Sequence, residues 1–200
     1  RIAYIGGPEG IDTAAERASH EQLISAAQKI APGADGVMVL PSFVADTGPQ
    51  RRHHTAGTVL GLKLSTRRDE LYRATLEGLS FQLRHALEIL ARSSDAPCQG
   101  IRAVGGGSRN PLWNQIRADV CRLPVSTIEQ REATVLGAAM FAFTGAGVYD
   151  SIEQAQQQMV GGIEVIEPSE HVELYEDLYQ AYMTVGPALK NFYTRSVSDH

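Results

Sequence analysis

The sequence predicts an α/β fold. Short apolar runs, typical of buried strands, alternate along the chain with segments whose apolar residues recur at helical spacing. The clearest unit joins a strand over residues 101–104 to a glycine-rich turn, and a helix follows near Leu112. A composition of 43% hydrophobic and 20% charged residues is ordinary for a globular protein. Two hundred residues are enough to bury a core, in one large domain or two small ones.

Glycine, proline and apolar spacing define the predicted elements in the first half of the chain. Glycine and proline crowd the first residues, and Pro32-Gly33 ends the helical pattern that follows them. The predicted elements are an irregular loop over 1–18, a helix over 21–30, buried strands over 37–40 and 58–62, and a long amphipathic helix over 69–90.

The second half continues the alternation of strands and helices. After the strand over 101–104 and its helix, we expect a strand over 124–128, helices over 134–144 and 151–159, and a final amphipathic helix after Ser169. Gly186-Pro187 should break or kink that last helix. Its tyrosine stripe predicts a packing face rather than a ligand site. Packing inside the chain and packing in a homodimer are both open.

The triple glycine at 105–107 is the candidate ligand site. Because Gly105, Gly106 and Gly107 have no Cβ, a flat base or a phosphate can lie against their main chain. The helix start behind them adds free N–H groups and a partial positive charge. We therefore predict a nucleotide site here. A tight strand-to-helix turn without any ligand is the alternative.

Two well-known nucleotide loops are excluded by the residues present. The dinucleotide fingerprint requires glycine at its sixth position, where this chain has Asn110. The P-loop requires Gly-Lys followed by Ser or Thr, and this triplet does not occur in the sequence. The glycine main chain and the Asn110 amide would therefore hold the base or the sugar of a nucleotide, and its phosphates would need other groups.

Composition argues against several other classes of function. A net charge of −5 disfavours nucleic acid as a partner, and no apolar run approaches the roughly 20 residues of a membrane span. Cys98 and Cys121 lack metal-ligand spacing and indicate a reducing, cytoplasmic location. Asp46-Thr47-Gly48 is similar to an aspartic-protease motif, but it occurs once and would need a dimer. His53-His54 lacks nearby ligands, so a metal role is disfavoured.

Three segments, in their order and spacing, together resemble one family. Residues 57–62, followed after seven residues by 70–77, are similar to that family's second signature. Residues 104–110 are similar to its adenosine motif, and 131–139 to its second connecting motif. On these segments the chain resembles the FGGY family of carbohydrate kinases, from about residue 21 to residue 159.

The resemblance implies a fold and a domain organisation. The expected fold is a ribonuclease H-like lobe of the actin, hexokinase and heat-shock-type ATPase class, with a mixed sheet flanked by helices. Such kinases have two lobes, and this chain is expected to be the second, beginning at Arg1 as a piece of a longer protein. Residues 1–20 would be an irregular remnant of the upstream segment, 21–160 the nucleotide-binding lobe, and 161–200 a helical extension packed on it.

The resemblance also implies an activity for the parent protein. It would transfer the γ-phosphate of ATP, with Mg²⁺, to a hydroxyl of a ketose or deoxyketose, and residues 105–115 are most similar to members that act on L-fuculose. Gly105, Gly106 and Gly107 would flank the adenosine, and Asn110 would hydrogen-bond the purine. No catalytic or metal-binding residue is assigned to this chain. The sugar and the catalytic aspartate belong to the other lobe, so the chain alone is expected to be inactive.

Further residues carry a structural expectation beside a functional one. Ser108 is expected to cap the following helix rather than touch a ligand, and Arg109 to be solvated rather than to reach phosphates. Glu77 is expected to be a structural carboxylate. The small residues of helix 134–144 suit either a hinge between lobes or ordinary helix packing. A non-catalytic, nucleotide-dependent interaction module of the same fold is the alternative function.

Overall fold

The computed structural model describes residues 14–43, 57–93, 97–128 and 133–196, in which six α-helices and five β-strands follow one another. The helices are α1 Ala14–Gln28, α2 Arg68–Ser93, α3 Pro111–Cys121, α4 Ala133–Gly145, α5 Ile152–Met159 and α6 Val172–Ser196. The strands are β1 Met38–Leu40, β2 Thr58–Leu60, β3 Ile101–Ala103, β4 Val125–Ile128 and β5 Ile163–Ile166. Each helix and strand predicted for these residues is present, with ends shifted by a few residues.

The strands form two small sheets. β1 pairs with β2 in antiparallel register, with Met38 opposite Leu60. The second sheet has the order β3-β4-β5, in which β3 and β4 are parallel and β4 and β5 are antiparallel. This mixed sheet carries β3, the strand that leads into the glycine turn, and α3 packs on β4 and β5.

The main core lies between α2, α3 and α6. Phe81, Ile116 and Val120 are buried there together with Tyr175 and Tyr179 of α6. The Phe81 ring lies 6.4 Å from the Tyr175 ring and 6.0 Å from the Tyr179 ring, centroid to centroid. The tyrosine stripe is therefore a packing face, as its helical spacing predicts. These two rings are covered within the chain, and a homodimer stays a prediction.

Helix α2 packs against α1, α3, α6 and β1, and Gly78 lets it lie directly on β1. A Cβ added at Gly78 would lie 2.1 Å from the carbonyl oxygen of Val39. On the next turn, the buried Arg73 and Glu77 form an ion pair with Nε and Oε1 2.9 Å apart. The Tyr175 hydroxyl donates to the same Oε1 at 3.0 Å, so the pair joins α2 to α6.

Three expectations about segment boundaries need correction. Residues 1–13 lie outside the described residues, but Ala14–Gln28 is one helix, so the segment 1–20 is not irregular throughout. The division at residue 160 separates β5 from its partner β4, and thus 161–200 is more than a helical extension. Helix α6 runs through Pro187 instead of breaking there. The proline side is exposed, where water can satisfy the carbonyl that loses its partner.

None of the helices in the described residues combines the length and the apolar character that crossing a membrane requires.

Candidate functional site

The glycine turn connects the end of β3 to the start of α3. Gly105 has a φ of +81°, which side-chain-bearing residues rarely adopt, and reverses the direction of the chain after the strand. A short 3-10 turn, Gly106–Arg109, follows. The Ser108 hydroxyl donates to the carbonyl oxygen of Gly105 at 2.7 Å and the Ser108 N–H does so at 3.1 Å. The turn is thus a locally bonded unit rather than an open loop.

The three glycines have different surroundings. A Cβ added at Gly105 or at Gly106 would meet no heavy atom within 4 Å. A Cβ added at Gly107 would lie 2.8 Å from Cζ3 of Trp113 and 3.4 Å from a terminal nitrogen of Arg117. The first two glycines therefore expose bare main chain to solvent. The third is a glycine because of the protein's own packing.

Asn110 uses its amide to hold the turn on two helices. Its Oδ1 accepts the Trp113 backbone N–H at 3.1 Å, so Asn110 is the N-cap of α3. Its Nδ2 donates to the Tyr72 hydroxyl of α2 at 3.0 Å, and the residue is only 5% exposed. Burial raises the pKa of the Tyr72 phenol, so this acceptor stays neutral at ordinary pH. Both amide atoms thus already have protein partners. A purine contact by Asn110 remains a prediction.

The cap assigned to Ser108 is wrong, because Asn110 occupies the N-cap position of α3 and the Ser108 hydroxyl donates to the Gly105 carbonyl oxygen instead. Sequence reasoning also missed the residues beneath the turn. Asn114 donates from Nδ2 to the Ser108 carbonyl oxygen at 2.7 Å, and Trp113 packs under Gly107. The signal that could have found them is their position in the first two turns of α3, directly after the glycines.

Glu77 has the structural role that was expected of it. Its Oε1 accepts the Gly33 backbone N–H at 3.0 Å, Arg73 Nε at 2.9 Å and the Tyr175 hydroxyl at 3.0 Å. Burial raises the pKa of the Glu77 carboxyl, and the charge of Arg73 opposes that rise. With every contact directed at protein groups, Glu77 fixes α2 against α6 and the loop before β1.

Comparison with protein families shows which family this chain belongs to. Residues 8–146 match the model of the FGGY family of carbohydrate kinases, C-terminal domain. The chain belongs to the FGGY family. The match includes the glycine turn and all of α2, α3 and α4, so the site described above lies inside the family domain.

Individual relatives agree with that family. L-fuculokinase of Escherichia coli K12 is 40% identical over 141 residues, which are 70% of this chain and 28% of that protein. Xylulose kinase of Bacillus subtilis is 29% identical over 185 residues, 92% of this chain and 36% of that protein. The chain therefore spans about a third of the length of these relatives.

Solved structures confirm the fold. The xylulose kinase from Rhodospirillum rubrum superimposes with a TM-score of 0.74 at 32% identity, over 90% of this chain and 36% of that one. The glycerol kinase of Plasmodium falciparum, whose structure is described with ADP, gives a TM-score of 0.65 at 20% identity. The expected actin- and hexokinase-like lobe with a mixed sheet flanked by helices is thus confirmed.

Helix α4 of this FGGY domain presents apolar side chains to solvent. Val135 is 64% and Phe141 is 69% exposed, and the helix packs mainly on α5. A Cβ added at Gly137 would meet no heavy atom within 4 Å. Within the described residues, no second helix uses the close approach that Gly137 permits, and the hinge role stays a prediction.

Other candidate residues fall outside the description or do not cluster. Asp46-Thr47-Gly48, His53-His54 and residues 129–132 lie outside the described residues. In the described part of the chain, no three His, Cys, Asp or Glu side chains lie close enough together to hold a metal ion.

Proposed function

We propose that this chain supplies the nucleotide-binding lobe of a cytoplasmic sugar kinase. The kinase transfers the γ-phosphoryl group of ATP to a hydroxyl of a ketose or deoxyketose, with L-fuculose as the first sugar to test. The observation that carries the proposal is the bare main chain of Gly105 and Gly106 at the start of α3. Its position inside the FGGY domain supports a nucleotide as the ligand.

The residues present suit the nucleoside part of ATP. The open faces of Gly105 and Gly106 let a planar base lie against peptide atoms, which a Cβ at either position would prevent. Behind them the α3 N-terminus contributes a partial positive charge on the side where an anionic tail would extend. Asn110 keeps the turn and the helix start in register through its cap to Trp113.

The chemistry needs groups beyond those described here. Mg²⁺, carried on the ATP phosphates, supplies charge neutralisation for phosphoryl transfer. The described residues contribute binding and orientation of the nucleotide, and we assign them neither the sugar nor the base that activates its hydroxyl. The chain by itself should bind adenine nucleotide weakly and phosphorylate no sugar.

The sugar follows from the relatives rather than from the site. L-fuculokinase of Escherichia coli K12 and xylulose kinase of Bacillus subtilis are named for a deoxyketose and a ketose. The higher identity, 40% against 29%, supports L-fuculose before xylulose. An assay of the longer kinase containing this chain, with both sugars, tests the choice through the ratio of the two kcat/KM values.

The nucleotide assignment is tested on the chain itself by calorimetric titration with ATP. Gly106→Val places a side chain in open space at the turn, and Gly137→Val does the same on α4, far from the turn in sequence. We expect Gly106→Val to weaken ATP binding by about tenfold or more, and Gly137→Val to leave it unchanged. Equal affinities in wild type and Gly106→Val would contradict the assignment.

The same fold could instead serve as a nucleotide-dependent interaction module. Both functions include ATP binding, so the discriminating measurement is sugar-dependent release of ADP by the longer protein. Release of ADP only in the presence of a sugar supports the kinase, and nucleotide binding without sugar-dependent turnover supports the module.

A further inference from the structure

We infer that Trp113 is a positioning residue of the nucleotide site, which holds the glycine turn in its binding shape without touching the ligand. The inference rests on the proposed function for the identity of the ligand. It adds a residue whose role follows from the contacts beneath the turn. Trp113 is half-buried in the first turn of α3, below Gly107.

The contact of the Trp113 indole with Gly107 fixes the position of the glycine turn. The indole packs so closely against residue 107 that an added Cβ would lie only 2.8 Å from Cζ3. The ring thus fills the space under Gly107 that the absent side chain leaves. With the ring removed, the third glycine would have no support, and the exposed pair Gly105 and Gly106 would lose its fixed orientation.

The lower contact of Trp113 reaches α2. Its indole Nε1 donates to the Ser80 hydroxyl at 3.2 Å, and Ser80 is fully buried. The same hydroxyl donates to the Leu76 carbonyl oxygen at 2.8 Å, so its own orientation is set by the helix. Together with the bond from Asn110 to Tyr72, this gives the turn two attachments on α2.

A second set of contacts keeps the ring itself in place. The Arg117 guanidinium lies over the indole, 3.6 Å from the ring centroid. Arg117 Nη1 donates to Asn114 Oδ1 at 3.0 Å, and Asn114 Nδ2 donates to the Ser108 carbonyl oxygen at 2.7 Å. The contacts form a closed circuit from the turn through Trp113, Arg117 and Asn114 back to the turn.

This circuit explains how the indole ring is held in place without any contact to the ligand. One of its faces is covered by Arg117, its N–H is used by Ser80, and one edge supports Gly107. What the indole provides is preorganisation, since a turn already in its bound shape loses less conformational freedom when a nucleotide binds. Loss of the indole should therefore appear as weaker nucleotide binding beyond any loss of stability.

The test compares Trp113→Leu with Phe81→Leu in the 200-residue chain. Phe81 is buried in the main core against Tyr175 and Tyr179, and it makes none of the contacts of the turn described above. Both variants should lower Tm. Trp113→Leu should also raise the Kd for ATP by about tenfold at a temperature where both variants are folded, and Phe81→Leu should leave it within twofold.

A conservative variant isolates the hydrogen bond. Trp113→Phe keeps an aromatic ring under Gly107 but cannot donate to Ser80, and Ser80→Ala removes the acceptor. We expect each to raise the Kd for ATP by a few-fold, and the double variant to have no larger effect than Trp113→Phe alone. If the increases in Kd of the two single variants multiply in the double variant, the Ser80 contact does not act through the indole.

A nucleotide-free readout separates this inference from the proposed function. Amide hydrogen exchange of Ser108 and Asn110, whose N–H groups donate to the carbonyl oxygens of Gly105 and Gly107, should be faster in Trp113→Leu than in wild type, and unchanged in Phe81→Leu. Unaltered exchange in Trp113→Leu, or equal loss of ATP affinity in both variants, overturns the positioning role. Failure of the wild-type chain to bind ATP contradicts the proposed function, while the exchange result still decides whether Trp113 holds the turn.

Discussion

Gly106 and Gly107 are adjacent residues of one turn, yet they are glycines for opposite reasons. At Gly106 an added Cβ would enter open space, and at Gly107 it would meet the Trp113 ring. The first glycine therefore leaves room for something outside the protein. The second leaves room for a side chain of the protein itself. At the residue scale, substitutions at Gly106 should therefore report on ligand binding, and substitutions at Gly107 on stability.

Alanine at each of these positions should give different stabilities. Gly107→Ala should lower the free energy of unfolding by about 1–3 kcal/mol, because the ring must shift to accept the methyl group. Gly106→Ala should leave it unchanged or raise it by a few tenths of a kcal/mol, because the unfolded chain loses freedom. Urea unfolding measures both. The same destabilisation in both variants would contradict this division of roles.

Cys121 should be unreactive in the folded chain. Burial raises the pKa of the Cys121 thiol from 9.0 to about 12, which lowers its thiolate fraction at pH 8 by about a thousandfold. Iodoacetamide at pH 8 should therefore leave Cys121 unmodified in the folded chain and modify it after unfolding in urea. Mass spectrometry of the peptides gives the result. Rapid modification of Cys121 in the native chain would show that its burial is not maintained in solution.

At the element scale, α2 is the helix on which the other elements are arranged. It contacts β1 through Gly78, joins α6 through Glu77, and holds the glycine turn through Tyr72 and Ser80. These contacts lie on different faces of one long helix, so the position of the site depends on the packing of α2 as much as on the turn. Two predictions concern this helix.

Alanine should have opposite effects at two helical glycines. Gly78→Ala places a methyl group 2.1 Å from the Val39 carbonyl oxygen, so α2 must move away from β1 and the free energy of unfolding should fall by at least about 1–3 kcal/mol. Gly137→Ala meets no atom within 4 Å on α4 and should raise it by about 0.5–1 kcal/mol through helix propensity. Thermal and urea unfolding of the pair measure the signs, and equal signs would contradict the packing.

Removal of one member of the buried ion pair Arg73–Glu77 should lower the free energy of unfolding. Glu77→Leu leaves the Arg73 guanidinium buried with its ion-pair partner removed, so unfolding free energy should fall by about 3–5 kcal/mol. The double variant Arg73→Met with Glu77→Leu removes both charges and should be more stable than Glu77→Leu alone. A double variant that is less stable than either single variant would show that the pair itself is not what couples these residues.

The helices and β1–β4 could be predicted because each has a local pattern, either an apolar run or an apolar stripe. β5 could not, because three of the four residues in Ile163–Ile166 are exposed and the strand forms only through its pairing with β4. The first two turns of α1, residues 14–20, were missed for a related reason. Its alanines give helix propensity without an amphipathic pattern.

Only part of the candidate site could be predicted, because local sequence determines the turn but not the contacts made on folding. That Gly105–Gly107 form a turn between strand and helix follows from local sequence. That Gly107 packs on Trp113, and that Asn110 reaches Tyr72, depends on side chains brought together by folding. The ligand roles of Gly105, Gly106, Gly107 and Asn110 stay predictions, to be decided by titration with ATP.

At the scale of the whole molecule, the chain matches only part of the length of its FGGY relatives. It spans 28% of Escherichia coli K12 L-fuculokinase and 36% of Bacillus subtilis xylulose kinase. The exposed apolar residues of α4 and the open turn are both surfaces of this domain. The sugar kinase activity therefore stays a proposal, and the measurements on the chain alone concern binding and stability.

The two attachments of the turn to α2, at Tyr72 and Ser80, lie about 12 Å apart along the helix axis. A body held at two separated points cannot pivot about either of them. Any sliding or tilting of α2 would therefore carry Gly105, Gly106 and Gly107 with it as a single piece.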